Sequence, residues 1–334
     1  MNLLQRIKRK YYEQGALKNY KLMREKSDFI PVALDIEPVN FCNLKCVYCQ
    51  VTYWDKPKDV LTLETLKEIL DNFPNAKFVK LQGMGEPLLN KNIPELLDEL
   101  ERRDIAIELF SNGTVFTEKL ASQILSHKKL TFRFSLDASY KELFEKIRQG
   151  GDFDLITGNI RKLIKLRGSK KEPVISIWAV VTKETVDDIY NLIIKVKELG
   201  ADYLDLQMFI TDWGKQDLKQ QIDKLKQPIN NDLITEIKKT AGAYNLKVNI
   251  KTENFFTPKN KCSAPFTTTY ISVKGDVIPC CILADADTIK MGNVLENNFK
   301  NIWNNEKYIT LRKHIKEHKL DEFCKNCYLQ EYRS

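Results

Sequence analysis

Histidine is scarce in this chain: 334 residues contain only His127, His314 and His318. None lies near the cysteines that begin at Cys42, so a zinc site there would need a distant fourth ligand. Long apolar runs are also missing. Val174–Val181, interrupted at Ser176, is strand-sized, and nothing approaches the roughly 20 apolar residues of a membrane span. The opening residues, Met1-Asn2-Leu3-Leu4-Gln5-Arg6-Ile7-Lys8, turn basic before an apolar secretory core could form. Without secretory features, the 8 cysteines of a chain this long do not read as a disulfide framework. Their ligand-like grouping points to a reducing, cytoplasmic setting. No basic patch interleaved with aromatics is present, so a nucleic-acid partner is not expected.

What is present is ordinary for a globular protein, with 43% apolar and 29% charged residues. The length favours one large domain plus a smaller one. The net charge of +8 is concentrated at one end. Residues 1–26 carry Arg6, Lys8, Arg9, Lys10, Lys18, Lys21, Arg24 and Lys26 against Glu13 and Glu25, leaving +2 for the remainder. Leu3, Leu4, Ile7 and Tyr11 at helical spacing predict a basic N-terminal helical segment over 1–31. Its apolar stripe is expected to pack on the main domain, with contact to an anionic surface as the alternative.

From residue 32 to about 210, strand and helix patterns alternate. Strands are expected at Val32–Glu37, Lys77–Gln82, Ile105–Phe110, Thr131–Ser135, Val174–Val181 and Tyr203–Met208. Helices are expected at Leu63–Asn72, Ile93–Arg103, Glu118–Ser126 and Val186–Leu199. Short apolar strands separated by amphipathic helices imply parallel βαβ units. Six units fall short of the eight that close a full barrel. Residues 32–225 are therefore expected to form the main domain, 226–254 a connecting helix and strand, and 255–334 a cysteine-rich C-terminal domain.

The first expected strand leads into Cys42, Cys46 and Cys49, with Tyr48 just before the last cysteine. Three thiolates can hold three irons of a cubane cluster and leave the fourth open, which separates a reactive metal site from a closed one. This CxxxCxxC arrangement resembles the signature of radical S-adenosylmethionine (SAM) enzymes. The resemblance implies an α/β fold, a partial (β/α)6 TIM-type barrel, with a 4Fe–4S cluster whose open iron chelates SAM. It further implies reductive cleavage of SAM to a 5′-deoxyadenosyl radical.

Barrels of this type place their chemistry at the C-terminal ends of the strands, and the other motifs obey that rule. Gly83-Met84-Gly85-Glu86-Pro87 follows the second strand and resembles the family's Gly-Gly-Glu-Pro element, with Met84 replacing one glycine of the pair. By that resemblance, Gly85 and Glu86 belong to the element that receives the methionine amino group of SAM. Ser111 and Asn112 match residues that contact the ribose, and Ser135 and Arg148 match groups that hold the SAM carboxylate. Arginine suits a carboxylate because its planar fork pairs bidentately. Tyr48 is expected to pack on the adenine. Asp137, after the fourth strand, is the candidate group for deprotonating the substrate.

The second cysteine set is Cys262, Cys280, Cys281, Cys324 and Cys327. A Lys274-Gly275-Asp276 turn between β-rich runs predicts a hairpin over Thr269–Cys281. A helical stretch around Ile302–His318 follows. The pattern resembles the auxiliary-cluster region called SPASM, in its shortened twitch form, a small α+β domain. It implies a second, auxiliary 4Fe–4S cluster held by Cys262, Cys280, Cys324 and Cys327, with Cys281 as an alternative ligand to Cys280. A structural four-thiolate zinc is the competing reading. His314-Ile315-Lys316-Glu317-His318 spells an inverted zinc-protease motif, but it lies in a Lys-rich segment with no evident third ligand.

The resemblance implies a radical oxidoreductase in which an auxiliary cluster accepts an electron from the substrate. The 31 residues ahead of the barrel are fewer than the ~80 of a leader-binding domain, which is of ordinary domain size. A small sugar- or aminocyclitol-like substrate is therefore expected first, and a ribosomal peptide second. A flavodoxin or ferredoxin is the expected reductant. The non-enzymatic alternative is an iron–sulfur electron carrier or scaffold.

Overall fold

The computed structural model describes residues 3–213, 215–251 and 262–325. Its strands in chain order are β1 (Ala33–Ile36), β2 (Lys45–Cys46), β3 (Phe78–Leu81), β4 (Ala106–Ser111), β5 (Leu130–Ser135) and β6 (Arg148–Gln149). They continue as β7 (Val174–Val180), β8 (Tyr203–Gln207), β9 (Lys247–Lys251), β10 (Thr268–Ile271), β11 (Asp276–Ile278) and β12 (Gly292–Asn293). Each of the six strands expected between residues 32 and 210 ends within one residue of its expected bounds. Contacts divide the described residues into two compact units. One is drawn from 1–41, 57–108 and 256–334, the other from 42–56 and 109–255.

In the first unit, strands run in the order β12-β11-β10-β1-β3. The expected hairpin is present as antiparallel β10 and β11. Its first strand also pairs in parallel with β1, which in turn pairs in parallel with β3. Alternation along β1 separates two environments. Leu34 and Ile36 are buried on one face, and the apolar residues of helices Leu63–Asp71 and Ile93–Arg102 are buried as well. Asp35 points to the other face, in register with Lys80 and Tyr270. The Lys80 Nζ stands 3.6 Å from Asp35 and 3.8 Å from Glu108. A face that carries charge rather than aliphatic side chains leaves room for polar chemistry.

Of the stripe expected on the N-terminal helix, Leu3–Lys21, the side chains of Leu3 and Leu4 lie outside the described residues and the other two are exposed. Ile7 and Tyr11 are 57% and 61% exposed, whereas Arg9, Ala16 and Asn19 are buried. The Arg9 guanidinium donates to the carbonyls of Arg103 and Asp104 at 2.8 Å. These carbonyls lie just past helix Ile93–Arg102, at the end where a cation is favoured by the helix dipole. These bonds help hold the helix face that carries Arg9 against the rest of the unit. At the other end of the chain, the expected helix over 302–318 is two helices, Phe299–Trp303 and Glu306–Glu317. Asn305 separates them and caps the second by accepting from the Tyr308 N–H at 3.1 Å.

In the second unit the order is β5-β7-β8-β9, all parallel. The strand expected as part of a connector, β9, thus extends this sheet in register with β8. Phe132, Phe134, Ile175, Ile177, Leu204 and Leu206 are buried on one face. The opposite face carries Arg133, Ser176, Trp178 and Asp205. Arg133 pairs with Asp205 and lies 5.4–5.6 Å from the rings of Phe110, Trp178 and Tyr203. Short β2 and β6 pair antiparallel, which sets Cys46 opposite Arg148. Among the described residues, no helix is long and apolar enough to cross a membrane.

Candidate functional site

The loop carrying Cys42, Cys46 and Cys49 belongs to the second unit. Backbone bonds pin it: Cys49 N–H donates to the Cys46 carbonyl and Val47 N–H to the Ile147 carbonyl, both at 3.0 Å. Asn112 secures its start by donating through Nδ2 to Asn43 Oδ1 at 2.9 Å, with the Cys42 sulfur at 3.7 Å. Its own Oδ1 accepts from the Thr114 N–H at 2.9 Å. Burial pushes the Cys46 thiol up to about 12, offset in part by Arg148 and reinforced by Cys49 and Cys42. Burial likewise raises Cys49. A bound metal would reverse these shifts, because ligation deprotonates a thiol outright. By residue type and spacing the three cysteines fit an iron–sulfur cluster, whose thiolates bind separate irons; among the described residues no group is gathered around a single metal ion.

Arg148 and Asp137 form the charged centre beside this loop. Arg148 Nε donates to Asp137 Oδ2 at 2.8 Å and NH2 to Oδ1 at 3.1 Å. The Tyr48 hydroxyl donates to Oδ2 at 2.5 Å and the Val180 N–H to Oδ1 at 2.9 Å. The Asp137 side chain is wholly buried. Its oxygens thus accept from four donors and hold the local structure together. Burial alone would lower Arg148, but Asp137, Tyr48 and Cys46 together more than offset it and the guanidinium stays charged. Tyr48 lies with its ring 5.8 Å from the guanidinium carbon, and burial raises its phenol. Ser111 is buried and accepts from the Gly113 N–H at 2.9 Å. Ser135 is half-buried at the end of β5, opposite Trp178.

The Gly83–Pro87 loop belongs to the first unit. Gly85 N–H donates to the Val39 carbonyl at 3.1 Å and Glu86 N–H to the Phe41 carbonyl at 3.0 Å. A Cβ at Gly85 would sit 2.4 Å from both of those oxygens, so glycine is required for this approach of backbone to backbone. Glu86 is buried and accepts from the Leu88 N–H at 3.0 Å, capping the short helix Pro87–Leu89. One residue that the motifs did not mark organises this region. Glu37 accepts from the Met84 N–H (3.1 Å) and the Tyr270 hydroxyl (2.9 Å) through Oε1, and from the Val273 N–H (3.1 Å) through Oε2. Its only sequence signal is a carboxylate at the end of an apolar strand. Glu37→Gln replaces one acceptor oxygen with a donor facing a donor. It is expected to cost about 1–3 kcal/mol, read as a lower Tm by calorimetry; an unchanged Tm would contradict this role.

Of the C-terminal cysteines, Cys262, Cys280, Cys281 and Cys324 are half-buried, and Cys327 lies outside the described residues. The neighbours Cys280 and Cys281 have different surroundings. Burial raises the Cys281 thiol to about 12, with Asp35 adding to the effect. Cys280 instead bears on the Tyr308 hydroxyl of helix Glu306–Glu317. The zinc-protease pattern dissolves in three dimensions. His318 lies past the end of that helix in a left-handed conformation (φ 58°), and His314 Nδ1 pairs with Asp321 at 2.8 Å.

Comparison with known proteins places this geometry. The model of the radical SAM superfamily matches residues 36–196, and that of the SPASM iron–sulfur cluster-binding domain matches residues 262–328. Together the two matches cover more than half of the chain. The chain is 23% identical over 331 residues to the tungsten-containing aldehyde ferredoxin oxidoreductase cofactor-modifying protein of Pyrococcus furiosus, spanning 89% of this chain and 87% of that one. It is 24% identical over 305 residues to the mycofactocin maturase MftC of Mycobacterium tuberculosis, spanning 89% and 75%. The crystal structure of Streptococcus suis SuiB bound to precursor peptide SuiA superposes with a TM-score of 0.71 at 18% identity, over 96% of this chain and 74% of that one. The shared fold is the α/β, TIM-type fold of radical SAM enzymes followed by a SPASM domain. Its cofactors are SAM with a 4Fe–4S cluster, and an auxiliary iron–sulfur cluster. This chain belongs to the radical SAM superfamily, in the group that carries a SPASM domain.

Proposed function

We propose that this protein is a radical SAM maturase that modifies a peptide. The observation that carries the substrate class is its likeness to a maturase along 89% of its own length. That likeness outweighs the expectation of a small substrate, which rested on how few residues precede the barrel. When bound, the reduced cluster and SAM supply a carbon radical able to take hydrogen from an unactivated position. The chain's own residues hold and orient. Cys42, Cys46 and Cys49 ligate three irons, and Asn112 fixes the sulfur of Cys42. The Gly83–Pro87 loop, set by Glu37, receives the amino group of SAM, while Ser111 and Ser135 serve its polar edge. Cys262, Cys280, Cys324 and Cys327 hold the auxiliary cluster, with Cys281 turned toward Asp35. In the unit that holds the cysteine loop, the sheet face bearing Arg133, Trp178 and Asp205 suits a polar and aromatic substrate such as a peptide.

A second reading has one observation in its favour, since the relative from Pyrococcus furiosus is named for modifying a cofactor. Label transfer separates the two. Extract from cells that make the protein, grown on deuterated nutrients, is divided into peptides and small molecules. Each fraction is then offered to the reconstituted, dithionite-reduced enzyme with unlabelled SAM. Deuterium entering 5′-deoxyadenosine from the peptide fraction alone is the expected result. Transfer only from small molecules would establish the second reading. No 5′-deoxyadenosine from either would leave an electron carrier or scaffold as the explanation.

A further inference from the structure

The family pattern matches Arg148 to the carboxylate of SAM, yet its hydrogen-bonding edge is already occupied. Nε and NH2 form a two-point clamp on Asp137, which is itself held by Tyr48 and the Val180 N–H. The remaining terminal nitrogen, NH1, lies 3.8 Å from the Cys46 sulfur, within reach for a sulfur acceptor. The backbone enforces this meeting, because the β2–β6 register sets Cys46 opposite Arg148. The arginine side chain is 8% exposed and that of Asp137 fully buried, so little water screens the charge.

Resting on the proposed cluster at Cys42, Cys46 and Cys49, we infer that Arg148 raises that cluster's reduction potential by donating to the Cys46 sulfur, and that Asp137 is the positioning residue that aims it. Reduction adds negative charge to a cluster whose thiolates are already anionic. A fixed cation and donor at one sulfur stabilises the reduced form more than the oxidised one, and hydrogen bonds to sulfur are among the factors that set such potentials. An isolated buried guanidinium would be costly and mobile. Asp137 neutralises its far side, fixes the plane of the fork and leaves only NH1 for the sulfur. The four acceptor contacts that make Asp137 effective in this role also occupy it against deprotonating a substrate.

The test is an EPR-monitored redox titration of the reconstituted full chain, following the signal that changes when SAM is added. Arg148→Met removes the donor. It is expected to shift the reduction equilibrium at least tenfold toward the oxidised form, which is ~59 mV for a one-electron couple. Arg148→Lys keeps a cationic donor and is expected to recover most of that loss, which a purely packing role would not allow. If Arg148→Met fails to fold with Asp137 left unpaired, the double variant Arg148→Met/Asp137→Asn removes the stranded charge, and a smaller shift in the same direction is expected from the lost donor. An unchanged potential in Arg148→Met or the double variant overturns the inference. So does an equal shift in Arg148→Lys and Arg148→Met. A wild-type protein that forms no SAM-responsive cluster signal overturns the proposed function itself, a distinguishable failure.

Discussion

Alanine at Cys46 is expected to abolish 5′-deoxyadenosine formation and the SAM-responsive cluster signal while leaving the polypeptide folded. Cys46 sits in β2, where its backbone carbonyl accepts from Thr52 Oγ1 at 2.7 Å and from the Cys49 N–H at 3.0 Å. Those contacts do not involve the sulfur, so truncation to alanine spares them. The ligand count is less forgiving. Three thiolates are the fewest that hold a cubane with one open iron, and losing one leaves two irons without protein ligands. Iron content by chemical assay and 5′-deoxyadenosine by mass spectrometry, each compared with the wild type under anaerobic conditions, provide the readouts. Wild-type product from Cys46→Ala would contradict the assignment of this loop as the cluster site.

Gly85→Ala is expected to produce the second-largest effect, although it adds a single methyl group. The new carbon would stand 2.4 Å from the carbonyl oxygens of Val39 and Phe41 and 2.7 Å from the Phe41 nitrogen. All three are backbone atoms, which cannot rotate aside as the end of a side chain can. The loop must move, and the bonds Gly85 N–H to Val39 and Glu86 N–H to Phe41 are strained or lost. Overpacking of this kind costs about 1–3 kcal/mol, visible as a drop in Tm. SAM affinity, measured by equilibrium dialysis, is expected to fall at least tenfold, because a displaced loop no longer presents its backbone to the ligand. Gly158→Ala provides the control. Nothing lies within 4 Å of a Cβ at Gly158 in helix Phe153–Arg167, so the variant should gain about 0.5–1 kcal/mol from helix propensity with SAM binding unchanged. Equal SAM affinity in Gly85→Ala and the wild type would contradict a role for this loop in binding.

Much of the architecture was legible in the sequence because its causes are local. Val174–Val180 reads as a strand from its own β-branched and apolar residues, and Glu118–Ser126 reads as a helix from its own period. The cysteine loop was legible for the same reason, since CxxxCxxC places its thiols within a few residues of one another. The N-terminal helix was also visible as a helix. Its orientation was not, because the bond from Arg9 to the Arg103 and Asp104 carbonyls spans more than ninety residues.

The sequence by itself determined the order of strands and helices, the grouping of Cys42, Cys46 and Cys49 in one loop and the loops that follow each strand. These follow from spacing and period, which the chain carries at short range. Tertiary structure alone decided what the individual side chains do. Asp137 reads as a free carboxylate after a strand until Tyr48, 89 residues away, and Val180, 43 residues away, fill its oxygens. Glu37 is one more acidic residue until Val273, 236 residues later, donates to it. Likewise, nothing local to β10 shows that its carbonyls and amides meet those of β1. A buried polar group takes its role from the partners that satisfy it, and folding chooses those partners from distant parts of the chain.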